Sequence, residues 1–167
     1  MEKVLELGGY SARYCGRLFV QTGYSVSRVK SSPKPGWASK MAMNLFLDVE
    51  KQHLDSFRQD LPNSFDVVIV EANSADEAIN LGIEEWKNAI VVVITPFGLS
   101  GPRRNWKATS STLLAMGGYT QLMGDAGRTP LTLPGHYVEF QTAQYCLYGS
   151  NRMSLRGREK THRCEHV

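Results

Sequence analysis

Short apolar runs alternate along this chain with longer stretches whose apolar residues recur at helical spacing. Val4 to Leu7 is a short apolar strand that opens directly into Gly8-Gly9. Ala12 to Gln21 has helical spacing, with Leu18 and Phe19 four residues after Tyr14 and Cys15, and Gly23 suits the helix end. Ser25 to Val29 alternates as a second strand. The order strand, glycine turn, helix, strand predicts a βαβ unit with parallel pairing. Farther on, Asp66 to Val70 and the six apolar residues Ala89 to Ile94 read as strands buried on both faces. Leu45 to Leu47 suggests a short strand, while Leu54, Phe57, Arg58 and Leu61 sit at helical spacing ended by Pro62. Ala75 to Leu81 reads as a short helix, followed by a turn at Glu84 to Lys87. Ser110 to Met116 reads as a helix capped by Thr109 or Ser110 and stopped by Gly117-Gly118. Asp125 to Gly127 reads as a turn, Pro130 to Pro134 as extended, and Val138 to Tyr148 as a helix. The alternation predicts an α/β fold: an open parallel, Rossmann-like sheet with flanking helices, and Ala89 to Thr95 as its central strand.

Two loops invite attention, because ligands of open α/β sheets sit beyond the carboxyl ends of the strands. The first is Phe97-Gly98-Leu99-Ser100-Gly101-Pro102, which directly follows the strand ending at Thr95. Its two glycines allow turns that other residues resist, although a plain connection between strand and helix would use the same residues. The second is Lys30 to Lys40, a basic loop with prolines and Trp37 after the second strand. It suits a phosphate-bearing ligand or simply a solvated surface. A nicotinamide-binding domain is disfavoured: Gly8-Gly9 lacks the G-x-G-x-x-G pattern, and Arg28 and Lys30 stand where a ribose-binding acid is needed.

Composition narrows the classes further. The chain has 167 residues, enough for one domain with a real core, and is 42% hydrophobic and 21% charged. A net charge of +3 is too small to argue for nucleic acid. No apolar run approaches the ~20 residues of a membrane span. The start, MEKVLELGG, lacks the features of a signal peptide, so a cytoplasmic setting is expected. The three cysteines, Cys15, Cys146 and Cys164, have no metal spacing and fit a reducing compartment. His162, Cys164 and His166 crowd the C-terminus, but alternate residues lacking a fourth ligand make a poor metal site, and no metal is expected.

Taken together, the motifs resemble the N-terminal part of class III coenzyme A transferases, the CaiB–BaiF family that includes formyl-CoA transferase and α-methylacyl-CoA racemase. The resemblance rests on Val4-Leu5-Glu6-Leu7, on Ala12 to Gly23 around Cys15, Gly16, Arg17 and Leu18, and on Val26 to Lys30. It continues through Ile94 to Pro102, which matches I-x-x-F-G-x-x-G-P, and through Leu113 to Gly118. Leu122, Gly124, Pro130 and Leu131 match L-x-G-x-x-x-x-P-[LV], and Arg158 to Val167 matches the stretch that follows. Order and spacing carry the case, over nearly the whole chain.

The resemblance implies a reaction. Such enzymes move CoA from an acyl-CoA donor to a carboxylic acid acceptor. An active-site carboxylate attacks the thioester, forms a mixed anhydride and then carries CoA as an enzyme thioester, dividing one hard step into easier ones. Glu139 falls where the family has its Asp, at the start of the last helix, so it is the expected nucleophile. Gly98 and Gly101 would allow close backbone approach and hold an oxyanion through N–H groups. CoA is expected as substrate, with no permanently bound cofactor, near Phe97 and Gly98 and aided by Arg17, Arg28, Lys30 and Lys34. The resemblance also implies a homodimer of interlocked rings. Family members are typically more than twice as long, so 1–167 is expected to be part of a large domain, without the small domain and the return segment. Glu71-Ala72-Asn73 departs from the family's E-N-F-R-P-G, and Arg13 replaces a proline. Two alternatives stand beside transfer. A racemase or epimerase would need a histidine base in a G-H-D motif, where this chain has Ala108-Thr109-Ser110. A non-catalytic CoA-binding or degenerate fragment is the other.

Overall fold

The computed structural model describes residues 2–29, 41–125, 127–131, 133 and 135–155. Five strands form one parallel sheet: β1 (Lys3–Leu7), β2 (Ser25–Val29), β3 (Gln52–Leu54), β4 (Val67–Glu71) and β5 (Ile90–Ile94), in the order β3-β2-β1-β4-β5. The helices are α1 (Tyr10–Gln21), α2 (Met41–Asp48), α3 (Ala75–Asn80), α4 (Ser110–Met116), α5 (Tyr119–Leu122) and α6 (Tyr137–Leu155). Short 3-10 turns at Leu61–Ser64 and Ile83–Glu85 complete the connections. The expected parallel, Rossmann-like α/β architecture is present.

Strand alternation sends odd and even residues to opposite faces, and each face has its own core. Leu5, Leu7, Val68, Val70, Val91 and Val93 pack with Ala75 and Ala78 of α3 and with Ile83 and Trp86. Val4, Val26, Val67, Ile69, Val92 and Ile94 pack with Ala12, Cys15 and Phe19 of α1 and with Ala143 and Cys146 of α6. Both faces being dry explains why β4 and β5 read as unbroken apolar runs.

Three expectations change. Leu45 to Leu47 is helical, inside α2. Met, Ala and Leu favour a helix there, and a helix puts Asn44 and Asp48 one turn apart, where both bind Arg13 of α1. The Leu54 to Leu61 stretch is no helix: Leu54 ends β3, and Phe57 and Leu61 reach the core from an irregular loop and the start of a 3-10 turn. Their spacing reflects a chain wrapping the sheet rim. Finally, β5 is not central; it ends the described sheet, and β1 is the middle strand. Burial of both faces reports the layers above and below a strand, and says nothing about its neighbours in the sheet. The basic loop 30–40, with Lys30 and Lys34, and residues 156–167 of the C-terminal basic stretch lie outside the described residues.

Candidate functional site

The strand order reverses between β1 and β4: the chain builds outward through β2 and β3, then returns to add β4 and β5 on the other side. The helices after β1 and β4 consequently pack on opposite faces. In sheets of this kind the crevice beyond the carboxyl ends of such a strand pair is the place for a ligand. Glu71, the last residue of β4, stands at this point.

The Glu71 carboxylate turns toward the start of α1. Oε2 accepts the Ala12 N–H at 2.9 Å, and the Ser11 N–H and hydroxyl bond the carboxylate as well. The N-cap of α1 is Gly9, which has no side chain to offer, so an acid from another strand satisfies the first turn. Burial pushes the Glu71 carboxyl above its ordinary range; the charge of Glu139 adds to this, and the Ser11 and Ala12 bonds oppose it.

Glu139 lies in the first turn of α6. The Ser110 hydroxyl donates to its Oε1 at 2.8 Å, and His136 Nδ1 lies 3.5 Å from the same oxygen. Glu139 Oε2 and His136 Nδ1 are both buried without a hydrogen-bond partner. Thr109 caps α4, accepting from the Thr112 N–H at 3.3 Å, which puts Ser110 in the first helical position, facing Glu139. The Tyr10 ring stacks on His136 with centroids 3.9 Å apart, and the Arg13 guanidinium lies over Tyr10 at 5.7 Å. Four separate elements, β4, α1, α4 and α6, thereby meet around two carboxylates.

The loop after β5 has left-handed backbone at Gly98 (φ 75°) and Gly101 (φ 87°), where a side chain would be strained. Phe97 packs edge-on against Trp106 at 6.0 Å, and Leu99 is buried in the core. Among the described residues, the partners of Glu139 are Ser110, His136 and Glu71, none of them from this loop.

Arg28 and Arg17 each have partners within the chain. Arg28 bonds Asp48 at 2.8 Å and lies 3.3 Å from Glu6. Arg17 donates to the Val49 carbonyl at 3.3 Å and stacks over Phe46, with its Nε buried and unpartnered. Arg28 belongs to a buried ionic cluster that sequence reasoning missed. Glu6, fully buried and next to last in β1, accepts from Lys51 Nζ at 2.5 Å, and Lys51 also donates to the Arg13 carbonyl at 2.7 Å. Arg13 binds Asp48 through two nitrogens. Gly16 leaves the room in α1 that the Glu6 carboxylate fills. Desolvation raises Glu6 to about 7 despite Lys51 and Arg28, and lowers Lys51 despite Glu6. A lone acid within an apolar strand was the available signal for the cluster. For Ser110 and His136 no local signal existed; only the fold brings them to Glu139. No group of three or more His, Cys, Asp or Glu among the described residues could hold a metal ion. No helix among them is long and apolar enough to cross a membrane.

Comparison with known proteins agrees with this architecture. A CAIB/BAIF family protein from Brucella suis superposes with a TM-score of 0.80 at 20% identity, over 97% of this chain and 50% of that one. A hypothetical protein from Mycobacterium tuberculosis gives a TM-score of 0.77 at 19% identity, over 98% of this chain and 54% of that one. The chain therefore spans about half the length of these structures. No curated protein is significantly similar to it. The model of CoA-transferase family III matches residues 42–167, most of the sequence, and the chain belongs to that family.

Proposed function

We propose that the protein moves CoA between an acyl-CoA and a carboxylic acid, with Glu139 as the nucleophile. The observation that carries this reading is the Glu139 carboxylate in the first turn of α6, bonded by Ser110 and beside the reversal point of the sheet. A helix N-terminus favours the ionised form that a nucleophile needs. One carboxylate oxygen attacks the thioester carbon; a C–O bond forms, the C–S bond breaks, and CoA leaves as thiolate with the electron pair. The thiolate then attacks Glu139 Cδ, and the donor's acyl group departs as carboxylate. The acceptor carboxylate repeats the sequence in reverse, ending with a new acyl-CoA and free Glu139.

In this reading CoA lies near Phe97 and Gly98, the N–H groups at Gly98 and Gly101 support an oxyanion, and Arg17, Arg28, Lys30 and Lys34 supply positive charge for its phosphates. A homodimer would complete the site, as the family resemblance implies.

The test is to incubate the protein with acyl-CoA, trap with hydroxylamine and locate the modified residue by mass spectrometry. Modification at Glu139 that is lost in Glu139→Gln is expected. Undiminished transfer by the Gln variant removes Glu139 from the mechanism.

A further inference from the structure

We propose that Ser110 and His136 are positioning residues that hold Oε1 of Glu139 and leave Oε2 as the attacking oxygen; the proposal rests on the transferase reading above. The two oxygens of this carboxylate are in unlike surroundings. Oε1 accepts from the Ser110 hydroxyl at 2.8 Å and has His136 Nδ1 at 3.5 Å. Oε2 is buried with no donor among the described residues. A buried, unpaired carboxylate oxygen is costly, and native structures keep such groups where something is gained from them. Here the gain is a lone pair with no protein donor to displace before it attacks.

The holders are themselves held. Ser110 is fixed by the Thr109 cap of α4. His136 precedes Glu139 by one helical turn and is clamped by the Tyr10 ring at 3.9 Å. Among the described residues, Glu71 on β4 and Arg13 on α1 also bring charge to this corner.

The same two donors serve the next step. When the thiolate attacks Cδ of the mixed anhydride, the carbonyl electron pair moves onto Oε1. The Cδ–Oε2 bond then breaks, and the departing carboxylate carries Oε2 and the bonding pair away. The Ser110 hydroxyl is already bonded to Oε1 and stabilises that oxyanion without reorganising. The 3.5 Å separation from His136 is the kind of loose contact that tightens once charge develops.

Donation by His136 to Oε1 as the contact tightens requires the proton on Nδ1. Long-range proton–nitrogen NMR spectra of the 15N-labelled 167-residue chain, assigned with His136→Gln, read the tautomer without any acyl-CoA. The Nδ1–H form is expected in the wild type, changing to the Nε2–H form in Glu139→Ala. An Nε2–H wild type, or a tautomer indifferent to Glu139→Ala, overturns the clamp. In transfer assays Ser110→Ala is expected to lower kcat at least tenfold with KM for acyl-CoA within twofold, and Ser110→Thr, which keeps the hydroxyl, to recover most of it. Wild-type kcat in Ser110→Ala, or no recovery in Ser110→Thr, also overturns it. Absence of any hydroxamate at Glu139 would instead sink the transferase reading, whatever the imidazole spectrum shows.

Discussion

Gly8 and Glu71 compete for one position: a Cβ built on Gly8 would lie 2.6 Å from the Glu71 Cβ and 2.8 Å from its carbonyl oxygen. Gly8 also has a φ of 134°, which side chains rarely adopt. The glycine turn after β1 therefore exists to let Glu71 reach the first turn of α1. Gly8→Ala is expected to destabilise the fold by about 2 kcal/mol or more, since overpacking and backbone strain act together against backbone atoms that cannot swing away. Urea unfolding checks this. A variant as stable as the wild type would show that β4 and the turn are free to separate.

Glu6 makes stability depend on pH. The folded chain holds the Glu6 proton more tightly than the unfolded chain, with a carboxyl raised from 4.5 to about 7 by burial. Stability from this group is full below about pH 4.5 and is lost as pH rises through about 7. Glu71 acts in the same direction, whereas the lowered Lys51 contributes stability that is lost as pH falls through its folded value. At about 1.4 kcal/mol per unit, the Glu6 part is about 3 to 4 kcal/mol at most. Urea midpoints from pH 5 to 8 should fall less steeply in Glu6→Gln than in the wild type; parallel slopes would exclude Glu6 as the cause.

Arg17 and Arg28, both expected at the CoA phosphates, should separate on mutation. Arg28 lies beside Glu6 and Asp48, which keep Lys51 and Arg13 as partners, so Arg28→Ala removes one cation from the cluster and should cost about 2 kcal/mol. Arg17 makes one long bond to a carbonyl, and Arg17→Ala should cost about 1 kcal/mol. CoA calorimetry on Arg17→Ala, which stays folded, should show weakened binding with a smaller salt dependence. Unchanged affinity would remove Arg17 from the phosphate contacts.

Thr109 connects local stability to the site. Thr109→Ala removes the cap of a seven-residue helix and should cost about 1 kcal/mol by thermal unfolding. Because Ser110 is the next residue, transfer activity should fall with it at temperatures where the fold is intact. Full activity in a destabilised Thr109→Ala would mean that Ser110 keeps its place without the cap.

The layers were legible from local patterning. Apolar runs at Val67–Glu71 and Ile90–Ile94, the helical spacing of α1, and the Thr109 cap are local patterns, and local periodicity records which faces must be buried. The position of Glu139 at the start of the last helix was legible in the same way, with its expected role added by family resemblance. Strand order was not legible: β5, the most apolar strand, ends the described sheet, while β1, which carries Lys3 and Glu6, is central. Nor were the polar pairings. Glu6 meets Lys51 across 45 residues, Glu71 meets Ala12 across 59, and Ser110 meets Glu139 across 29. Each pair depends on how strands order and how helices cross them, and no spacing along one segment carries that information. Tertiary structure alone decided α2, whose apolar triplet fits strand or helix until Arg13 supplies the partner that one helical face can satisfy.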